Sequence, residues 1–188
     1  MRSLAADVAL LVIDVQRAFD DPSWGARNNP QAEANIAALL AAWRASNRPV
    51  VHIHHRNDQP GRRFSPGQKG FDPKPEAAPL DQELVIHKTV NSAFIGTDLE
   101  SQLHALGVTA VVLVGITTDH CVSTTTRMAA NLGFVATVVH DATCTFERIG
   151  PDERVWSAED MHASALASLH DEFAVISSTS DVLAALVR

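Results

Sequence analysis

The chain has 188 residues, 46% of them hydrophobic and 20% charged, and Lys+Arg 15 against Asp+Glu 22 leaves a net charge of −7. That mix suits one globular domain with a sizeable core, and it excludes a disordered tail, a collagen-like repeat and a small disulfide scaffold. An acidic chain without a Lys/Arg cluster is a poor nucleic-acid binder, no apolar run approaches the ~20 residues of a membrane span, and two cysteines, Cys121 and Cys144, make no framework. The apolar N-terminal run ends in Asp14 without a small-residue cleavage site, so a reduced, cytoplasmic protein without a signal peptide is expected.

In chain order, Val8–Asp14 is nearly all apolar and predicts a buried strand. Asn29 and Pro30 predict an N-cap and first helical residue, followed by Ala32, Ile36, Leu39, Leu40 and Trp43 on one helical face. Pro49–His54 and Glu83–His87 predict a second and a third strand. Thr97 with Glu100 is a capping-box pattern, Leu99, Leu103 and Leu106 give one helical face, and Gly107 closes it. Val108–Gly115 is the strongest strand pattern, with a helix predicted from about Asp119 to Leu132 and stopped by Gly133. Phe134–His140 predicts a fifth strand and Ser157–His170 a helix with Met161, Ala165 and Leu169 inward. Glu172–Ile176 predicts a sixth strand and Asp181–Val187 a terminal helix. Strand–helix alternation with apolar strands predicts a single three-layer α/β/α domain over residues 1–188, with a Rossmann-like, mostly parallel six-stranded sheet. The connection from Arg56 to Pro79 holds five of the nine prolines, a length and composition read either as a functional lid or as a solvated surface connection. Its Arg62, Arg63 and Lys69 could meet an anionic substrate or a partner subunit.

In such sheets ligands sit beyond the C-terminal strand ends. Three reactive residues fall there: Asp14 after the first strand, Lys88 after the third, and Cys121 six residues beyond Gly115. Each alone has a plain structural reading, as a turn residue, a surface charge and a small buried hydrophobe. Together they are a nucleophile, a general base and a cation that keeps the base ionised. With Thr118 or Asp119 as helix cap, Cys121 falls in a first helical turn, where the helix N-terminus and a nearby lysine would lower its thiol pKa. Free N–H groups there could form an oxyanion hole.

Three segments carry a resemblance: Asp14-Val15-Gln16-x-x-Phe19, His87-Lys88-Thr89-Val90-Asn91-Ser92-Ala93-Phe94, and Val114-Gly115-Ile116-Thr117-Thr118-Asp119-His120-Cys121-Val122. In order and spacing the chain resembles the isochorismatase-like cysteine hydrolase superfamily, from about Val8 to Ile176. That family includes nicotinamidases, N-carbamoylsarcosine and ureidoacrylate amidohydrolases, biuret-type hydrolases and isochorismatases. The resemblance implies a homo-oligomer, a catalytic triad of Asp14, Lys88 and Cys121, and a thioester on the cysteine. It also implies a cis peptide at Ile116–Thr117 that aims the Thr117 and Cys121 N–H groups at an oxyanion. Phe19 and Phe94 match positions that often line the family's site, and Trp24, Asn91, Thr118 and Phe146 join them as candidate substrate contacts because they follow strand ends.

The siderophore-type isochorismatases, which cleave a vinyl ether, generally lack this cysteine, so Cys121 favours C–N hydrolysis of a small amide, ureide or carbamoyl compound. Family nicotinamidases hold a metal through an Asp-x-His pattern after the second strand. Here the segment is His52-Ile53-His54-His55-Arg56-Asn57-Asp58, without that pattern, so no metal or other cofactor is expected. One histidine is expected inside and hydrogen-bonded, another facing the pocket, and Cys144 is expected to be a bystander. A vinyl-ether hydrolase and a non-catalytic small-ligand binder are the competing readings. The absence of G-x-G-x-x-G, P-loop and G-x-S-x-G patterns leaves the binder without a phosphate cradle and excludes a serine α/β-hydrolase.

Overall fold

Why these strands form a central sheet is visible in their burial. The structure is a computed structural model that describes residues 7–186. The strands are β1 (Val8–Ile13), β2 (Val50–His55), β3 (Leu84–Lys88), β4 (Ala110–Ile116), β5 (Val135–Cys144), β6 (Arg148–Ile149), β7 (Val155–Trp156) and β8 (Val175–Ser177). The helices are α1 (Ala32–Ala45), α2 (Leu99–Ala105), α3 (Ser123–Asn131), α4 (Ala158–Leu169) and α5 (Thr179–Leu186). Every residue of β1 is buried, which suits a strand covered on both faces. It is the third strand of a six-stranded sheet in the order β3-β2-β1-β4-β5-β8, and all pairings in that sheet are parallel.

Alternation along β1 feeds two cores. Ala9, Leu11 and Ile13 pack with Leu99 and Leu103 of α2, Ala129 of α3 and Leu169 of α4. Val8, Leu10 and Val12 pack with Ile36, Leu39, Leu40 and Trp43 of α1 and Val182 of α5. The Trp43 indole is fully buried and donates its Nε1–H to the Val8 carbonyl at 3.2 Å, so its one polar atom is satisfied. The predicted α/β/α layering and six-stranded parallel sheet are what the structure holds. The order reverses between β1 and β4, which makes their C-terminal ends the topological switch point where such sheets bind ligands.

Several local expectations are corrected. Asn29 does not cap α1. It adopts φ +45° and its amide donates to the His140 and Thr143 carbonyls at 2.8 and 2.7 Å, tying down the irregular stretch where the β4–β5 register shifts. The helix itself begins at Ala32. Thr97 accepts from the Leu99 N–H but makes no reciprocal box with Glu100, and α2 begins one residue late. Inward on α4 are His162, Ala165 and Leu169, with Met161 only half-buried. The sixth strand starts at Val175, after Asp171 turns at φ +62°. A short antiparallel hairpin, β6–β7, stands where the sequence predicted no element. Val187, the predicted end of the last helix, lies outside the described residues. Among the described residues no helix is long and apolar enough to cross a membrane.

Candidate active site

Asp14 leaves β1 in the left-handed region, φ +51°, which aspartate tolerates better than most residues. Its N–H still donates to the Ile53 carbonyl at 2.7 Å, so the turn starts while the backbone is held by β2. The side chain is wholly buried, and Oδ2 meets the Lys88 ammonium at 2.6 Å. Lys88, the last residue of β3, is 1% exposed. Its Nζ also donates to the Val90 carbonyl at 3.2 Å and to Cys121 Sγ at 3.3 Å, and lies 3.3 Å from His55 Nδ1. A buried lysine costs several kcal/mol unless paired, and here the pairing is with the Asp14 carboxylate and the Cys121 sulfur.

Cys121 is not in a first α-helical turn. Gly115 and a cis Ile116–Thr117 peptide lead from β4 into a π-helical turn, Thr118–Val122, and α3 begins only at Ser123. Neither Thr118 nor Asp119 caps it, since no side-chain cap bond forms there. Thr118 instead shares a 2.8 Å hydrogen bond with His162 Nδ1, and Asp119 accepts from Thr145 Oγ1 at 2.5 Å. The expected lowering of the thiol pKa is therefore overturned. Burial pushes the Cys121 thiol up to about 12, and the Asp14 charge adds to this. The Lys88 charge opposes it and is outweighed.

The cavity over the thiol holds about 110 Å³. Asp14, Thr117 and Cys121 form its floor, Phe19, Trp24 and Phe64 its aromatic wall, and His55 and His120 complete it. The Phe19 ring packs tilted against Trp24 and edge-on to Phe64, with centroids at 5.1 and 5.3 Å. Phe146 lies behind that wall, 3% exposed and 5.5 Å from the Trp24 ring, and supports it without lining the cavity. Asn91 reaches the thiol from the β3 side, its Nδ2 donating to Sγ at 3.7 Å.

Two candidates lie elsewhere. Phe94 packs on Phe134 at 6.0 Å within the core, because its ring faces the helical layer and not the cavity. Thr118 is fully buried and spends its hydroxyl on His162. Cys144 is buried among Ile116, Phe19 and Phe146, and burial pushes its thiol to about 12 as well.

His55, Phe64 and His120 are site residues that the sequence reading did not assign as substrate contacts. His55 follows the same strand-end rule as Asp14 and Lys88, and His120 stands inside the cysteine motif. Nothing in the sequence marks Phe64 beyond its place in the long connection. That connection folds back over the site. Phe64 lies 5.2 Å from His55, and Arg63 sits over the Trp24 ring at 5.3 Å, donates to Ser23 Oγ at 2.6 Å and pairs with Asp21 at 3.4 Å. Arg63 thus meets groups of its own chain. Of the other histidines, His52 is buried and bonded to Glu83 at 2.9 Å, while His54 is buried between His52 and His87. Among the described residues no three His, Cys, Asp or Glu side chains are grouped to hold a metal ion.

With this geometry in hand, comparison with known proteins is specific. The family model described as the isochorismatase domain matches residues 8–181. The chain is 47% identical over 175 residues to the uncharacterised isochorismatase family protein YrdC of Bacillus subtilis, covering 93% of this chain and 94% of that one. It is 34% identical over 142 residues to a streptothricin hydrolase of Streptomyces noursei, covering 74% of this chain and 50% of that protein. Among solved structures, a hydrolase of the isochorismatase family from Chromobacterium violaceum superposes with a TM-score of 0.97 at 45% identity, over 100% of this chain and 97% of that one.

Proposed function

We propose that this chain, which belongs to the isochorismatase family of hydrolases, cleaves a C–N bond of a small amide, ureide or carbamoyl compound through a thioester on Cys121. The observation that carries the reading is one contact chain, Asp14 Oδ2 to Lys88 Nζ at 2.6 Å and Lys88 Nζ to Cys121 Sγ at 3.3 Å, with Asp14 and Cys121 lining an aromatic cavity. Similarity to a streptothricin hydrolase supports hydrolysis without fixing the substrate.

In the first half-reaction Sγ attacks the carbonyl carbon as its proton passes to the Asp14 carboxylate. The oxyanion is received by the N–H groups of Thr117 and Cys121. Asp14 then returns the proton to the departing nitrogen, the C–N bond breaks and a thioester remains. In the second half-reaction Asp14 takes a proton from water, the resulting nucleophile attacks the thioester, and the thiol is restored as the acid leaves. Lys88 pairs with the Asp14 carboxylate and offsets negative charge growing on sulfur. Asn91 offers the sulfur or the substrate a further donor.

The test is ammonia release from a panel of small amides and ureides, with acid-quenched intact mass on a Cys144→Ser background. A turned-over substrate is expected to leave an adduct on Cys121 whose mass is that of the amide less ammonia, and Cys121→Ser is expected to abolish turnover. Hydrolysis that persists in Cys121→Ser would overturn the thioester and direct attention to vinyl-ether chemistry.

A further inference from the structure

We infer that the acyl side of the substrate is small, uncharged and flat or branched-apolar, and that the site rejects carboxylate-bearing amides. This rests on the reading of the cavity as a C–N hydrolase site and deepens it. The volume of about 110 Å³ is well under the ~300–1,000 Å³ of ordinary ligand pockets, so only a handful of non-hydrogen atoms fit beside the thiol. Three of the residues around that volume are the rings of Phe19, Trp24 and Phe64, which present faces and edges but no charge.

The ionic groups nearby are already matched. Lys88 is consumed by Asp14 at 2.6 Å. Arg63 is spent on Asp21 and Ser23 and over the Trp24 ring, and is not part of the cavity lining. Asp119 faces Arg148 at 3.4 Å and His120 at 3.5 Å. His55 Nδ1 lies 3.3 Å from the Lys88 ammonium. Burial first, then the Lys88 charge, hold its pKa below the usual histidine value, which favours the uncharged ring. A substrate carboxylate would therefore add a second negative charge beside Asp14 with no free cation lining the cavity to receive it. A neutral carbonyl can accept from the floor N–H groups at no such cost.

The test uses two isosteric pairs that differ only in charge. In Cys121→Ser protein, 3-methylbutanamide and malonamate share a scissile amide and differ as isopropyl against carboxylate. Titration is expected to give at least about 30-fold tighter binding of the neutral member, as an unpaired buried charge requires. Equal or tighter binding of malonamate, or no saturation by either at millimolar concentration, overturns the inference. In Cys144→Ser protein, alkylation of Cys121 by iodoacetamide and by iodoacetate reads the same selectivity with no amide hydrolysis involved. The amide-to-acid rate ratio is expected to exceed that of free cysteine by an order of magnitude or more. A ratio equal to that of free cysteine overturns it. Because neither readout depends on turnover, charge selectivity can fail while the thioester survives, and the reverse.

Discussion

Burial and the Asp14 charge push the Cys121 thiol up to about 12, which favours the neutral thiol near pH 7, so the proposed mechanism has the proton leave as sulfur attacks. This makes Asp14 and Lys88 opposite levers on one group. Asp14→Asn removes a charge that raises the thiol pKa, so the inflection of iodoacetamide alkylation should move to lower pH. Lys88→Met removes the opposing charge and should move it higher. Both variants are nevertheless expected to lose about 100-fold or more in kcat/KM, the ordinary worth of a general base. A shift of the same sign in both variants would show that the two charges do not act on Cys121 as described. That these three residues come together was legible in the sequence because each follows a strand end, and strand ends converge; their proposed roles came from the family resemblance. The direction of the thiol shift was not legible, because it depends on whether burial or the lysine dominates. Phe94 and Thr118 were misplaced for a related reason: motif position gives a residue's neighbourhood and not which way its side chain turns.

The elements show where the pattern of residues stops being informative. Periodicity places β1, β4 and the helix after β4 to within a few residues. It cannot tell a π turn from the first turn of an α-helix, since both keep hydrophobic residues on nearly the same face. The β6–β7 hairpin has two residues per strand and escapes any period test. Gly115, by contrast, is a sequence feature whose necessity the structure explains. It holds φ +129°, and a Cβ there would lie 2.0 Å from the Ile13 carbonyl oxygen. That oxygen belongs to backbone in the middle of the sheet, so nothing flexible can give way. Gly115→Ala is expected to cost at least ~2 kcal/mol of stability, measured by urea unfolding, and to reduce activity further by displacing the Asp14 turn from the Cys121 turn. Wild-type stability in Gly115→Ala would contradict this account of how β1 and β4 set the two reactive residues side by side.

At the scale of the whole molecule, buried histidines make stability a function of pH. His54 on β2 is 6% exposed, and burial, followed by the charges of His52 and His87, lowers its pKa from 6.5 to about 4. A lowered histidine is neutral in the folded state, so the unfolded chain binds the proton first as pH falls. Its contribution is fully present above about 6.5, is lost progressively between 6.5 and about 4, and by the end amounts to about 3 kcal/mol. Glu33 and Glu83 act lower down. Burial would raise both, but hydrogen bonds from Arg27 and Lys74 to Glu33, and from Arg44, the Leu80 N–H and His52 to Glu83, bring each to about 2. Their stabilisation is present above the ordinary value of 4.5 and lost as pH falls from there toward 2. The two windows scarcely overlap, so one substitution can separate them. His54→Leu should leave the acid limb below about pH 4.5 in place and lessen the fall between about pH 6.5 and pH 4, to which His52, His55, His87 and His162 also contribute. Unfolding free energies of wild type and variant, compared at about pH 7.5 and about pH 4, should differ in their pH change by roughly 3 kcal/mol. Parallel curves across that window would mean that His54 is protonated equally in both states, and the acid sensitivity there would have to be sought in the other histidines held below their ordinary value, His52, His55, His87 and His162.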